Sequence, residues 1–283
     1  MADTIDEYAG EHGLRRIGTR PRLGNYIAEA WRRREFSWTM ALLSRRSRHA
    51  RTRLGVWWSV LLPLLQSMVY GLIFGVLLGS HRSPDFIPFL VTGVFLFTFV
   101  SGSFSAGALS ISANAGLLRS INFPRIVLPV SAVVEQLLNL LGTLPILFVV
   151  ALAFDLSVKV EFLLFPLVIA LLALFGLGVA LIASRLTVDV RDLSKLIPFV
   201  TRILFYVSGV FYNPERLGID NPIIVGAMEL NPVYAFLSLA RGTLIAGSEV
   251  TIFHWIVAGS WTLVLLVLGT VYFWRAEERY GND

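Results

Sequence analysis

No cysteine occurs in the 283-residue chain, which excludes disulfides, thiolate nucleophiles and cysteine-ligated metals. Histidine is nearly as scarce: His12, His49, His81 and His254 stand in unrelated regions without metal-ligand spacing. No G-x-x-x-x-G-K-[ST] segment is present, so the chain carries no P-loop for ATP. No serine stands in a recognisable His/Asp setting. Charge is thin as well, with 15% Asp, Glu, Lys and Arg against about 25% in an ordinary soluble domain. What remains is apolar: 55% of residues are hydrophobic and the mean hydropathy is +0.70. A function carried by an enzyme site has no foothold in these residues. Shape, a path through a membrane, or a partner is left.

A helix needs about 20 mostly apolar residues to cross a bilayer. Six runs qualify, near Val56–Leu78, Ile87–Ala113, Ile126–Phe154, Phe162–Ser184, Leu196–Tyr212 and Phe253–Trp274. A further apolar region, Ile223–Ala246, is broken by Asn231-Pro232 and reads as two short re-entrant or interfacial helices. Such backbone is tolerated at membrane depth only where protein or a water-filled cavity satisfies it. The expected fold is an all-α integral membrane protein with six transmembrane helices. Its segments are a mobile tail at 1–24, an amphipathic helix and basic segment at 25–53, the membrane domain at 54–275 and a tail at 276–283. The first fifty residues are polar, acidic and then basic, without the apolar core of a signal peptide.

Arginine and lysine give the sidedness. Arg32–Arg34, Arg45–Arg53, Arg119, Arg125, Arg185, Arg191, Lys195, Arg275 and Arg279 all fall in segments on one side of the six runs. The alternate loops offset Arg82 with Asp85, and their last member holds Glu215 and Asp220. By the positive-inside rule both termini are expected in the cytoplasm. Before the first run, Ile27, Trp31, Trp38 and Leu42 are spaced 4, 7 and 4 apart, forming one apolar helical face with arginines largely opposite. That pattern suits a helix in the headgroup plane over anionic lipid; a helix packed on the protein's own surface is the other reading.

Ionisable residues inside apolar runs are costly and usually functional. Glu135, beside Gln136 and Asn139, lies in the third run and Arg202 in the fifth, while Arg241 follows the broken region. They line a polar conduit or pair across a moving interface; the structural alternatives are that Glu135 and Arg202 satisfy one another or that Arg202 snorkels to the headgroups. Phe95 and Phe99 share a helical face in the second run, and Phe205 and Tyr206 lie in the fifth. An aromatic-lined pore suits sugars, since stacking permits sliding; core or lipid packing is the other reading. Gly176 and Gly178, inside an apolar run, read as a helix-packing feature.

Five ordered motifs carry a resemblance: "TRLGVWWSVLLPLLQSMVYGLIFG", "SANAGLLRSINFPRIVLPVSAVVEQLLN", "DVRDLSKLIPFV", "VSGVFYNPERL" and "ELNPVYAFLSLARGTL". Together they resemble the transmembrane subunit of ABC-2 type polysaccharide exporters, which move lipid-linked O-antigen, teichoic acid or mycobacterial galactan. The resemblance implies that Leu117, Leu118, Arg119, Ser120, Ile121, Asn122, Phe123, Pro124 and Arg125 form the helix that couples to a separate ATPase, with Phe123 and Arg125 as contacts. Pro124 would stiffen the corner. It implies an interface helix at Tyr26–Leu43, a cytoplasmic gate or contact at Asp189, Arg191 and Asp192, and an outer gate hinged at Asn231 and Pro232. It implies a second copy of the chain, two P-loop ATPase subunits holding ATP and Mg, a polyprenyl-linked polysaccharide as cargo, membrane lipids as surroundings and no nucleic acid. The arginine-over-lysine bias points toward galactan. Gly209 stands where the family has a serine-proline-valine sequence, so a less kinked helix is expected there. An efflux permease for a drug or small lipid, and a membrane-embedded glycosyl- or acyltransferase, are the alternatives.

Overall fold

The computed structural model describes residues 21–50, 52–78, 85–121, 123–154, 160–213, 221–245 and 251–277, apart from the side chains of His49 and Ala151. The expected tails at 1–20 and 278–283, and Asn122, lie outside the described residues. Helices are the only regular elements among the described residues: α1 (Leu23–Arg32), α2 (Arg34–His49), α3 (Trp58–Leu78), α4 (Phe86–Leu109), α5 (Ala115–Ser120), α6 (Val127–Ala153), α7 (Phe165–Asp189), α8 (Leu193–Val207), α9 (Pro222–Glu229), α10 (Pro232–Leu244) and α11 (Ile252–Trp274). An apolar chain in hydrocarbon must pair every backbone group internally, and the helix does this within one segment.

Among the described residues five stretches are long and apolar enough to cross a bilayer: Gly55–Val76, Phe86–Leu109, Val127–Val150, Val160–Asp189 and Ile252–Trp274. The expected fifth span, Leu196–Tyr212, is instead the 15-residue helix α8 followed by irregular backbone. At 1.5 Å per residue α8 covers about 22 Å, short of a bilayer core of about 30 Å. Ile197, near its start, packs with Ala108 and Ala183, and Val210 lies beside Gly93. Along α4, Gly93 to Ala108 is about 22 Å, so α8 and the residues after it cover about three quarters of a bilayer core of about 30 Å. Gly209 ends the helix because it adopts φ +60°, which other residues rarely take, and an added Cβ would meet Tyr234 at 3.0 Å. The helix is therefore broken where the sequence suggested a gentler path.

The first and last described segments meet. Trp274 Nε1 donates to the Pro21 carbonyl at 2.8 Å, and the Tyr26 hydroxyl donates to Glu277 at 2.6 Å. The five long spans become six if the bent pair α9 and α10 counts as one. α9 and α10 form a broken pair bent by 78°. Each starts with an Asn-Pro step: Asn221 caps the Ile223 N–H at 3.0 Å and Asn231 the Val233 N–H at 2.9 Å, while the proline fills a first-turn position that needs no donor.

α4 is the hub, packing on α3, α6, α7, α8 and α10, and it is apolar all round because it is enclosed all round. α7 and α11 approach most closely at Gly178 and Gly269, where a Cβ on Gly178 would sit 2.7 Å from the Leu265 backbone and one on Gly269 2.8 Å from the Gly178 carbonyl. The small-residue reading of Gly178 therefore holds.

Candidate functional site

Four features on this frame bear on function: a corner at the face where the first and last described segments meet, a double amphipathic helix beside it, an open face on α3 and α8, and a broken region near the far side.

At the corner, α5 is followed by an extended Ile121 and then by Phe123, Pro124 and Arg125 leading into α6. Phe123 and Pro124 are buried, Phe123 in a cluster with Tyr26, Ile126 and Phe273 and against the Phe36 ring at 5.5 Å. Arg125 turns inward as well. Its backbone N–H donates to Glu277 Oε1 at 3.0 Å, its guanidinium donates to the Glu277 carbonyl, and Tyr26 accepts from the Ile126 N–H at 3.1 Å. Phe123 and Arg125, the contacts that the resemblance implies, turn inward in this chain and root the corner in the protein. Arg119, Ser120 and Ile121 are exposed, and Leu117 and Leu118 are partly so. The physical reason is the Phe-Pro pair, which has no polar group to present and finds an aromatic cluster beneath it.

Tyr26 and Glu277, which no sequence pattern singled out, complete this node. Burial raises the Glu277 carboxyl above its ordinary pKa, opposed by the Arg125 N–H, the Tyr26 hydroxyl and the Arg125 charge. Arg125 and Arg185, the latter over the Tyr272 ring at 5.7 Å, both lie against the end of α11.

The expected single interface helix Tyr26–Leu43 is two helices divided at Arg33. Tyr26, Ala30, Phe36, Met40 and Ala41 pack inward, whereas Ile27, Trp31 and Trp38 stay exposed, Trp31 at 69%, and Leu42 is half-buried. The aromatic face is uncovered by other elements of the described residues on its outer side.

From the end of α2, Arg48 reaches Glu135 at 3.0 Å and Arg45 donates to Asn139 at 3.0 Å. Glu135 is buried on α6, and its partner is Arg48, so the suggested pairing with Arg202 is corrected. Arg202 instead stands exposed on α8 together with Phe199, Ile203 and Tyr206. Phe205 points the other way, against Phe97 at 5.0 Å and Tyr70 at 5.1 Å. The neighbouring α3 leaves Leu65, Met68, Leu72 and Val76 uncovered. Phe95 and Phe99, read from sequence as facing a pore, are 1% and 2% exposed in the main core. They pack inside this chain because α4 is enclosed on every side.

Asp189 pairs with the buried Arg185 at 2.9 Å, and Asp192 with Lys195 at 2.9 Å on the surface, with Arg191 exposed between them. They form two separate pairs at the α7–α8 turn.

Near the far side, Arg241 holds the broken end of α8. Its guanidinium donates to the carbonyls of Val210 at 2.7 Å, Gly209 at 3.0 Å and Phe89 at 3.3 Å, and lies 3.4 Å from the Phe89 ring centre. Irregular backbone at this depth is thereby satisfied from within. Asn231 adds a hydrogen bond from Nδ2 to the Ser208 hydroxyl at 3.1 Å, tying the bent pair to the same break. An arginine inside an apolar stretch was the one signal for this cap in the sequence; its partners, 31 to 152 residues away, were not.

Among the described residues no group of His, Asp or Glu could hold a metal ion. The sequence model described as ABC-2 type transporter matches residues 38–245. The O-antigen export system permease protein RfbA of Klebsiella pneumoniae is 30% identical over 171 residues, 60% of this chain and 66% of that protein. The protein of the same name from Myxococcus xanthus is 29% identical over 193 residues, 68% of this chain and 74% of its own length. The polysialic acid transport protein KpsM of Escherichia coli is 25% identical over 244 residues, 82% of this chain and 90% of that protein. The chain thus spans about two thirds of the length of the Klebsiella relative.

Proposed function

The chain belongs to the ABC-2 type transporter family, and from that premise we propose that it is the permease subunit of an ATP-driven exporter moving a polyprenyl-linked polysaccharide out of the cytoplasm across a bacterial inner membrane. The observation that carries this reading is Arg202. It stands exposed within an apolar helix, on a face with Tyr206 and Phe199, and a guanidinium facing lipid hydrocarbon is unfavourable. A second copy enclosing a polar passage against α3 and α8 removes that cost. The dimer therefore pairs these faces, and the cargo runs between protomers, past Arg202 and Tyr206. The polysaccharide class rests on the names of the relatives, which are O-antigen and polysialic acid transporters; galactan is the narrower choice that the arginine bias favours.

Two P-loop ATPase subunits bind the face where the first and last described segments meet, which the basic segments assign to the cytoplasm. They hold the ATP and Mg that this chain has no motif to bind. Their contact is the exposed ridge Arg119–Ile121, and force passes from it through Phe123 and Arg125 into α6. Asp189, Arg191 and Asp192 border the same face, and the bent pair hinged at Asn231-Pro232 covers the exit.

Copurification from native membranes in mild detergent, with bound proteins identified by mass spectrometry, tests this. A stoichiometric P-loop ATPase is the expected result. Its absence under conditions that preserve other membrane complexes overturns the reading.

A further inference from the structure

A cavity of about 890 Å³ lies between the double amphipathic helix and the ends of α6, α7 and α11. This volume is in the range of ligand-binding clefts. Ile27, Trp31 and Trp38 form its outer wall, and Val130, Leu177 and Leu266 its inner wall. No α3 or α8 residue borders it, so it is separate from the face that carries Arg202. Its length can be read along the start of α6. From Ile126 to Val134, both in its lining, is about 12 Å, against about 15 Å for half of a bilayer core. The slot therefore takes most of the length of an acyl chain in one leaflet.

Its mouth is chemically distinct from its floor. Arg34 and Glu35 stand at the rim, and everything deeper is apolar save small hydroxyl side chains such as Thr270. The Arg34 guanidinium lies 5.6 Å from the Trp31 ring centre and forms no ion pair among the described residues, whereas Arg33 is paired with Glu29 at 3.2 Å. An apolar slot about 12 Å long, with a cation held over an indole at its mouth, matches an acyl chain below a phosphate.

The geometry points to a resident anionic glycerophospholipid, one acyl chain in the slot and its phosphate on Arg34, seating α1 and α2 on the bundle. This lipid is not cargo. The assignment goes beyond the export reading and stands on the slot alone, so an exporter without this lipid, or this lipid in a protein that does not export, would separate the two.

The test uses the full-length chain, delipidated in mild detergent and titrated with phosphatidylglycerol, phosphatidylcholine or undecaprenyl phosphate, with bound lipid counted by native mass spectrometry. One phosphatidylglycerol per chain is expected, at least tenfold tighter than phosphatidylcholine. Arg34→Gln, on an exposed side chain, should erase that preference, and Val130→Phe should lower binding of both glycerophospholipids by filling the slot. If Val130→Phe does not fold, Arg34→Gln alone decides. Equal binding of the two glycerophospholipids by the wild type, an unchanged preference in Arg34→Gln, or selective retention of undecaprenyl phosphate would each overturn the assignment.

Discussion

Replacing Arg241 with methionine keeps an unbranched apolar stem but removes three donors from the broken end of α8. The guanidinium serves the carbonyls of Val210, Gly209 and Phe89 at 2.7, 3.0 and 3.3 Å. Hydrogen bonds to a charged group are worth about 1.5–3 kcal/mol each, but part of that is offset by the cost of burying the charge. Deleting one side of such a buried arrangement typically costs about 3–5 kcal/mol, because the groups left behind have no water to turn to. For a chain of this size each kcal/mol shifts Tm by about 2–4 °C, so Arg241→Met should lower it by roughly 6–20 °C. Arg241→Lys should recover only part of the loss, since one ammonium cannot straddle three carbonyls over the Phe89 ring. Gly93→Ala gives a control that leaves the charge intact: its Cβ would lie 2.6 Å from both the Val210 carbonyl and Arg241 Nη2, and should produce a fall of similar size. The assay is the monodisperse fraction surviving heating, followed by size exclusion in detergent. A Tm for Arg241→Met within about 2 °C of wild type would refute the capping role.

At the opposite face, Phe123→Ala should destabilise the chain by about 3–5 kcal/mol through the cavity it leaves, while Arg119→Ala with Ile121→Ala should leave Tm unchanged and weaken ATPase copurification. Glu277 adds a pH dependence. Its folded pKa is raised by burial, so the stabilisation from its protonation is fully present below the ordinary carboxylate range and lost as pH rises through the raised value. The Tm of wild type relative to Glu277→Gln should therefore increase from pH 7.5 toward pH 5; a constant difference would show that Glu277 does not titrate in that window.

Much of this molecule was legible in one dimension. Long Leu, Val and Phe runs determine helices that cross a bilayer, because hydrocarbon leaves the backbone no other way to pair. Arginine asymmetry groups the loops into two sets, and Arg125 and Arg185 do lie together at the face where the first and last described segments meet. The Asn-Pro steps at 221–222 and 231–232 announce helix starts through local capping alone. Tertiary structure decided which apolar side chain faces what. Phe99 on α4 and Phe199 on α8 are equally apolar in sequence, yet one is 2% and the other 64% exposed, since lipid and protein core demand the same hydropathy and only packing separates them. Partnerships were decided there too. Glu135 is joined to Arg48, 87 residues away, and not to Arg202, and Phe123 turns in while Ile121 turns out. Periodicity describes one helix at a time, whereas a buried charge or ring is placed by whatever helices happen to surround it.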